Sequence, residues 1–326
     1  MPALPASPVA RRGATGLLMA LLGGLLLLAP AARAQIEQDA TPLTVTPAPA
    51  ELSGTLAKVR ASGTIALGYR ESSVPFSFLS PRNEPVGYSV ELCKSLVKSI
   101  EDAINKSLTV RWVPVTAASR IDAVERGQID LECGSTTNNL ERQKRVAFSP
   151  TIFVSGTKLL VKKGSPIRSF RDLAGKRVAV TAGTTNEKTL HELNAKFKLG
   201  MAIVASPEHA QSFELVAKGQ ADAFATDDVL LYGLIAQRGA QADYVVLGDF
   251  LSYDPYGIMF RKDDPQLAKV VQEAFQILAQ DGEIDRQYKR WFLRKLPTGS
   301  SIDLPMSAQL ASIIEQLAVK PEKPEK

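Results

Sequence analysis

Short apolar segments of strand character alternate with helical segments along most of this chain, and the alternation restarts near its middle. The first unit predicts strands at 64–68, 108–115 and 129–133, with helices at 88–100 and 118–126. The second unit predicts strands at 177–181, 202–205, 221–225 and 244–247, with helices at 185–196, 209–218 and 228–237. This alternation predicts the α/β class, in which mixed, mostly parallel sheets carry helices on their faces.

The two units also share a short motif. The segment 124–130, Val-Glu-Arg-Gly-Gln-Ile-Asp, resembles 216–222, Val-Ala-Lys-Gly-Gln-Ala-Asp. Five residues past each aspartate lie Ser135 and Asp227, just beyond a predicted strand, where open α/β sheets bind ligands. Gly-Gln-x-Asp is also a common helix-to-strand turn, so chance is an alternative. The repeated alternation favours two related lobes.

The segment after the second unit contains no further sheet pattern. An extended piece at 256–261 is followed by helices at 265–280 and 283–294. The chain is therefore predicted to return to the first lobe, crossing between the lobes near 151–156 and again near 252–256. Two crossings make a hinge, and the cleft between hinged lobes is the natural ligand site.

The N-terminal residues have the pattern of a secretory signal peptide. Arg11 and Arg12 precede an apolar run at 17–28, and Ala-Arg-Ala at 32–34 is a cleavage site. The apolar run is shorter than the roughly 20 residues of a membrane span. We predict cleavage after Ala34 and export to the periplasm. The predicted division of the chain is signal peptide 1–34, disordered linker 35–52, first lobe 53–153 and 252–318, second lobe 154–251, and disordered tail 319–326.

Charge and cysteine content bear on two further classes of partner. The chain has 39 Lys and Arg against 34 Asp and Glu, but three of the arginines lie in the predicted signal peptide, which contains no acid. The remaining near balance gives no reason to predict a nucleic-acid partner. Cys93 and Cys133 are either a disulfide or two buried thiols. The two cysteines and two histidines lack metal-ligand spacing, so no metal site is predicted.

The segment 132–144, Glu-Cys-Gly-Ser-Thr-Thr-Asn-Asn-Leu-Glu-Arg-Gln-Lys, follows an apolar strand and leads into a helical pattern. Backbone N–H groups and hydroxyls at such a junction, with Arg142 in the first helical turn, favour binding of a small anion such as a carboxylate. The segment has no phosphate-loop, metal-ligand or G-x-S-x-G spacing, so the pattern indicates binding and not catalysis.

Five segments together carry a resemblance to a known family: 68–77, 86–89, 132–144, 148–153 and 261–265. In order and spacing they resemble the periplasmic glutamate/aspartate-binding proteins of bacterial ABC importers, within family 3 of the solute-binding proteins. The resemblance implies a two-lobed, type II periplasmic-binding-protein fold with no catalysis and no cofactor. It also implies a monomer that binds glutamate or aspartate and delivers it to an inner-membrane ABC permease.

The resemblance assigns partners to the two backbone groups of such an amino acid. Arg142 with Thr137 is expected to hold the α-carboxylate, because arginine pairs bidentately with carboxylates, and Thr185 is expected to join them when the lobes close. Asp227, helped by Ser135, is expected to hold the α-ammonium. From the residues alone, Arg142 is also consistent with a solvated helix residue and Asp227 with an N-cap.

The side-chain carboxylate of the ligand is assigned to Arg70 and Arg120, with His209 closing over it from the second lobe. On its own His209 is more typical of a surface or capping histidine. At Ala117 the family usually carries a serine that helps to hold this carboxylate. Water or Ser119 is expected to replace that hydroxyl, or the preference between glutamate and aspartate shifts.

An exported enzyme on the same fold is the alternative function. A cyclohexadienyl or prephenate dehydratase-like protein needs a carboxylate or lysine placed for proton transfer. The sequence shows none to spare, since Asp227 is assigned to the ammonium. The binding function is therefore the main prediction.

Overall fold

The described part of the chain covers nearly all of the predicted lobes. A computed structural model describes residues 51–319. The predicted signal peptide, the predicted linker except its last two residues, and the predicted tail except Val319 lie outside the described residues. Within 51–319, no helix combines the length and the apolar character that a membrane crossing requires.

Most strands of the described residues are short, and the inner strands of the two main sheets are largely buried, as their apolar segments predict. In chain order they are β1 (Thr64–Tyr69), β2 (Ser72–Ser73), β3 (Ser77–Leu79), β4 (Pro85–Val86), β5 (Thr109–Pro114), β6 (Leu131–Glu132), β7 (Val146–Phe148), β8 (Phe153–Ser155), β9 (Thr157–Lys162), β10 (Arg177–Thr181), β11 (Ala202–Ser206), β12 (Ala223–Asp227), β13 (Tyr244–Leu247), β14 (Asp254–Tyr256) and β15 (Met259–Arg261).

The helices bury their apolar faces against these strands and against one another. They are α1 (Gly54–Ser62), α2 (Tyr88–Ile104), α3 (Arg120–Glu125), α4 (Thr185–Phe197), α5 (His209–Ala217), α6 (Asp228–Arg238), α7 (Pro265–Gln280), α8 (Glu283–Tyr288) and α9 (Ala308–Ala318). Single turns of 3₁₀-helix lie at Arg142–Lys144 and Phe170–Leu173, and a π-helical turn follows α8 at Lys289–Leu293.

Two five-stranded sheets have the same topology. The first runs β5-β1-β6-β15-β7 and the second β11-β10-β12-β9-β13. In each sheet the first three strands are parallel, while the fourth is antiparallel to both of its neighbours. We call the residues that carry the first sheet and its helices the first lobe (54–148 and 259–318), and those that carry the second sheet the second lobe (157–247).

The motif shared by the two sequence units has the same structural role in both lobes. Asp130 donates its N–H to the carbonyl of Ala66, and its carboxylate accepts the N–H of Ala66 at 2.9 Å. Asp222 makes the same pair of bonds with Arg177, with the N–H donated to its carboxylate at 2.8 Å. In each case the aspartate ties the helix-to-strand turn to the central parallel strand. The matching topology and bonds support two related lobes.

The chain passes between the lobes through a small ribbon. Strands β8 and β14 pair antiparallel, with Phe153 opposite Tyr256 and Ser155 opposite Asp254. After β14 the chain enters the first sheet again through β15, which lies between β6 and β7. The ribbon coincides with the two predicted crossing segments. The lobe boundaries predicted from the sequence, at 153/154 and 251/252, stay a prediction.

Cys93 and Cys133 are joined in a disulfide, which decides between the two alternatives left open by the sequence. Both cysteines are fully buried, one on α2 and the other directly after β6. The bond therefore anchors the segment 132–144 to a core helix. In the chain-entropy account of disulfides, a bond between residues 40 apart in sequence adds about 4 kcal/mol to the free energy of unfolding.

Three parts of the fold differ from the prediction. The segment 132–144 does not open an α-helix, because only the three residues Arg142–Lys144 form a 3₁₀ turn. Helices α1 and α9 and the short strands β2, β3, β4, β7 and β8 were not predicted. Strand β9 was also missed because it lies outside the regular strand–helix alternation and pairs antiparallel with β12 and β13.

Candidate ligand-binding site

Three buried guanidinium groups of the first lobe line the candidate site, and we call the part formed by Arg70 and Arg120 its guanidinium end. Arg70 follows β1, Arg120 begins α3 and Arg142 begins a 3₁₀ turn, and their exposed fractions are 0%, 2% and 8%. They meet because β1 and β6 are parallel neighbours whose carboxyl ends lie at one edge of the sheet. Burial, helped by the charges of Arg142 and Arg70, lowers the pKa of Arg120 to about 9.

Several guanidinium nitrogens at this end have no hydrogen-bond partner among the described residues. These are Nε and Nη1 of Arg70 and Nε and Nη1 of Arg120, all of them buried. Leaving a charged donor buried and unpaired is costly, and a carboxylate satisfies two such donors at once. This end of the site is therefore suited to an anion.

Arg142 lies at the boundary between the two lobes. Its Nη1 donates to the carbonyl of Thr137 at 2.9 Å, and its Nη2 reaches the carbonyl of Gly183 in the second lobe at 3.5 Å. Burial lowers the pKa of Arg142, and the charges of Glu132, Asp254 and other nearby acids oppose that shift. The predicted helix start in this segment is wrong, because a single 3₁₀ turn replaces the helix, while the anion site itself stays a prediction. The cationic guanidinium is the feature of this segment that favours an anion.

The backbones of the two lobes approach closely beside Arg142. Gly183 has φ +77°, a left-handed conformation that suits glycine, and a Cβ placed on it would lie 2.6 Å from Cα of Ala118. Any larger residue at Gly183 would hold the lobes apart at this point.

Thr137 and Thr185 converge from opposite lobes on one carboxylate. Their hydroxyls donate to Oδ1 of Asp254 at 3.0 and 2.9 Å, and the two hydroxyl oxygens lie 3.3 Å apart. Thr185 is held there as the first residue of α4, whose N-cap Thr184 accepts the N–H of Glu187 at 3.1 Å. Asp254 was not predicted as a site residue, although it lies in the predicted crossing segment 252–256.

Asp227 is a buried acid at the carboxyl end of β12. It is 3% exposed, Asn186 Nδ2 donates to its Oδ1 at 2.8 Å, and the Tyr256 hydroxyl donates to its Oδ2. It makes no N-cap hydrogen bond at α6, so the capping alternative does not hold. Burial, followed by the nearby charge of Asp254, raises the pKa of Asp227 to about 8. A cation placed beside this carboxylate would favour its ionised form.

His209 lies beside the guanidinium end, at the start of α5. It is 2% exposed, and its Nδ1 lies 2.8 Å from the hydroxyl of Thr181. Burial first, and then the charges of Arg70 and Arg120, hold the pKa of His209 well below its usual range. His209 is therefore neither a surface nor a solvated histidine, and its neighbours are the residues with which the resemblance groups it.

Of the remaining predicted residues, Ser135 and Ala117 are buried and Ser119 is exposed. Ser135 is buried, two residues before Thr137. Ala117 is 2% exposed. Ser119 does not replace its missing hydroxyl, because the Ser119 side chain is exposed and accepts the N–H of Thr116 at 3.0 Å. The expectation that Ser119 supplies the missing hydroxyl is therefore wrong, because the Ser119 hydroxyl bonds within the turn before α3.

Five functional candidates were missed from sequence: Glu132, Asn186, Glu208, Asp254 and Tyr256. Glu132 is fully buried, accepts the Thr136 hydroxyl at 2.6 Å through Oε2, and has no partner at Oε1 among the described residues. Glu208 pairs with Arg70. For Glu132 and Glu208 the sequence held a signal of a site role, since Glu132 begins the polar segment 132–144 and Glu208 directly precedes His209. Asn186 and Tyr256 gave none.

The two ends of the site differ in how many of their polar groups already have hydrogen-bond partners. One end has guanidinium groups with unpaired donors, and the other has the carboxylates of Asp227 and Asp254, both with hydrogen-bond partners. No cluster of three or more potential metal ligands occurs among residues 51–319. Chemically, the arrangement is complementary to a small molecule with anionic groups and one cationic group.

Comparison with known proteins gives a family and close relatives. A model of the family described as bacterial extracellular solute-binding proteins, family 3, matches residues 65–294. The chain is 44% identical over 267 residues to the L-glutamate/L-aspartate-binding protein of Pseudomonas aeruginosa, an alignment that covers 81% of this chain and 88% of that relative. It is 40% identical over 268 residues to the glutamate/aspartate import solute-binding protein of Escherichia coli, covering 82% and 88%.

A solved structure extends the comparison to the fold. The crystal structure of an ancestral amino acid-binding protein, described as a precursor of cyclohexadienyl dehydratase, superposes with a TM-score of 0.63 at 31% identity. The match covers 73% of this chain and 99% of that one. Together these comparisons confirm the resemblance and the type II periplasmic-binding-protein fold predicted from the sequence.

Proposed function

This chain belongs to family 3 of the bacterial extracellular solute-binding proteins, and from that premise we propose that it captures L-glutamate or L-aspartate in the cleft between its lobes. The proposal is supported by the descriptions of the two relatives at 40% and 44% identity. It is supported independently by the unpaired guanidinium donors at one end of the site and the buried carboxylate of Asp227 at the other.

The roles of the site residues follow from what each group can bind. Arg142 receives the α-carboxylate at the boundary between the lobes, and the hydroxyls of Thr137 and Thr185 join it by turning from Asp254 toward the ligand. Asp227, with Ser135 nearby, receives the α-ammonium, which favours the ionised form of that acid.

The second carboxylate of the ligand falls to the guanidinium end. Arg70 and Arg120 receive it through their unpaired nitrogens, and His209 lies beside it from the second lobe. This is the single observation that carries the proposal. A neutral amino acid side chain would leave these four buried N–H donors of Arg70 and Arg120 without a carboxylate acceptor.

Closure of the lobes completes the site. The first lobe supplies all three arginines, whereas Thr185, His209 and Asp227 come from the second lobe. A ligand that gains partners from both lobes favours the closed form over the open one. The β8–β14 ribbon, which carries Asp254, is the connection about which such closure would occur.

Delivery requires a partner in the membrane. We propose that the mature protein, cleaved after Ala34, acts as a monomer in the periplasm and presents the closed form to an ABC permease of the inner membrane. An extracellular binding family and relatives described as import proteins support this role.

The dehydratase alternative draws on one observation. A buried carboxylate with a pKa near neutrality, such as that of Asp227, is typical of proton-transfer residues. The family and the two relatives favour binding, and the ancestral structural neighbour is itself described as an amino acid-binding protein. Turnover of prephenate by purified protein, with catalysis lost in Asp227→Asn, would instead support the enzyme.

A thermal-shift screen of the twenty amino acids tests the proposed function. Protein is unfolded and refolded to remove any bound compound, and each amino acid is added at 1 mM, about the level where weak ligands act. A ligand that binds only the native state raises the melting temperature. We expect the largest rises with L-glutamate and L-aspartate. A rise with a neutral or cationic amino acid, and none with either acid, would contradict the proposal.

A further inference from the structure

Glu208 of the second lobe reaches across the cleft to a guanidinium of the first. Arg70 Nη2 donates to Glu208 Oε1 at 3.1 Å and to Oε2 at 3.0 Å. The Ser72 hydroxyl donates to the same Oε2 at 2.9 Å, and the N–H of Ala210 donates to that hydroxyl oxygen at 3.3 Å. These bonds join the β1–β2 region of the first lobe to the start of α5.

Glu208 lies where its carboxylate could cap helix α5, but it does not bond to that helix. It is the N-cap residue of α5 but makes no side-chain hydrogen bond to the first turn of that helix. N-cap side chains usually accept a backbone N–H there. The carboxylate bonds instead to Arg70 and Ser72, which lie more than 130 residues away in sequence.

A second ion pair between the lobes provides a contrast. Lys188 Nζ lies 2.6 Å from Glu141 Oε2, but these side chains are 60% and 70% exposed. The Arg70 side chain is fully buried and that of Glu208 is 13% exposed. Exposed pairs contribute little, whereas removing one partner of a buried pair leaves an uncompensated charge. The two pairs should therefore respond very differently to the same substitution.

We propose that Glu208 is a positioning residue for ligand capture, which pairs with Arg70 to hold the cleft closed and to orient that guanidinium toward the ligand. Glu208 occupies Nη2, which leaves Nε and Nη1 of Arg70 for the ligand's side-chain carboxylate. Opening the lobes breaks the pair and returns both groups to water. Glu208 therefore stabilises the closed form alone, and its loss acts mainly on ligand release.

This inference rests on the proposed function, and its test uses a charge-removing variant. Glu208→Gln keeps the size of the side chain but removes its charge, and Glu141→Gln is the matched control at the exposed pair. Stopped-flow kinetics with L-glutamate would give both rate constants for each variant. We expect the dissociation rate of Glu208→Gln to rise at least tenfold, with the association rate changed less than threefold. Both rates of Glu141→Gln should stay within twofold of the parent.

Two further variants separate positioning from a general structural role. Glu208→Asp keeps the charge and should recover part of the lost residence time. Ser72→Ala removes one hydrogen bond to Glu208 and should raise the dissociation rate about threefold, even where Glu208→Gln fails to fold. The melting temperature of ligand-free Glu208→Gln should match that of the parent, because the pair belongs to the closed form.

Several results would overturn the inference without touching the proposed function. These are an unchanged or slower dissociation rate in both Glu208→Gln and Ser72→Ala, or equal effects of Glu208→Gln and Glu141→Gln. A parent protein that binds neither acidic amino acid would instead overturn the proposed function. The same kinetic comparison would then be run with the amino acid that the thermal screen identifies.

Discussion

The two ends of the cleft differ in how far the protein satisfies its own buried charges. At the acid end, Asp227 and Asp254 accept hydrogen bonds from Asn186, Tyr256 and the two threonine hydroxyls. At the guanidinium end, Arg70 and Arg120 keep buried nitrogens without partners among the described residues. The acid end is thus ordered by the protein itself, whereas the guanidinium end gains most from an added anion. Affinity should therefore depend most strongly on the guanidinium end.

The strongest test of this difference removes Arg120. We expect Arg120→Ala to weaken L-glutamate binding at least 100-fold, because truncating a buried, hydrogen-bonded charge pair typically costs about 2–5 kcal/mol. Arg126→Ala is the matched control, since Arg126 directly follows α3 and its side chain is 70% exposed. Isothermal titration would measure both variants. A loss below tenfold for Arg120→Ala would show that the guanidinium end does not dominate binding.

The next effect concerns Arg142, which already bonds to the carbonyl of Thr137. We expect Arg142→Ala to weaken L-glutamate binding at least tenfold by isothermal titration, but less than Arg120→Ala, because part of its hydrogen-bonding capacity is already satisfied. Arg145→Ala is the control at a half-exposed arginine three residues later. Unchanged affinity in Arg142→Ala would remove this residue from the site.

The acid end should show itself in a pH dependence. The folded-state pKa of Asp227 is raised from 3.8 to about 8, so the ligand-free fold binds a proton that the unfolded chain releases above pH 4. Stability contributed by that proton is therefore present at low pH and lost as pH rises toward and through 8. We expect the parent to lose several degrees of melting temperature relative to Asp227→Asn between pH 5 and pH 9.

Melting curves of ligand-free protein across this pH range would measure the difference. Asp249→Asn, at an exposed acid, is the control and should follow the parent at every pH. Parallel curves for the parent and Asp227→Asn would show that Asp227 keeps an ordinary pKa. The acid end would then be less desolvated than its geometry indicates.

The smallest expected effect is that of a substitution at Ala117, near the guanidinium end, on the preference between glutamate and aspartate. Ala117 is buried three residues before Arg120, at the position where the resemblance led us to expect a serine. Ala117→Ser adds one donor near the ligand's side-chain carboxylate, and one hydrogen bond typically contributes about 1 kcal/mol to binding. We expect a change of less than fivefold in the ratio of glutamate to aspartate affinity, measured by competition titration. A larger change would make position 117 a main determinant of that preference.

The fold could be predicted where the sequence had a regular period. The strands of both parallel sheet cores and the helices α2, α4 and α7 agree closely with their apolar patterns. Strand β9 and helix α9 were missed because neither belongs to the repeating alternation. The segment at Arg142 was misassigned because its polar composition suits a helix start, whereas the chain there forms only one 3₁₀ turn before β7.

The site was predictable mainly through the family resemblance, since the motif at 132–144 by itself marked only Arg142 and its polar neighbours. The three arginines, Thr137, His209 and Asp227 lie together and are buried, although their assigned roles stay predictions. Glu208 and Asp254 depend on contacts between segments far apart in sequence, which periodicity cannot reveal. The sequence also could not show that Asp227 bonds to Tyr256, since this contact requires the ribbon strand β14 to bring Tyr256 to the carboxyl end of β12.

Titration of ligand-stripped protein with L-glutamate, L-glutamine and glutarate tests the central claim most directly. Glutamine replaces the side-chain carboxylate with a neutral amide, and glutarate lacks the ammonium. We predict one saturable site for L-glutamate, with glutamine and glutarate each bound at least tenfold more weakly. Equal or tighter binding of glutamine would contradict the claim that the unpaired guanidinium groups select a second carboxylate.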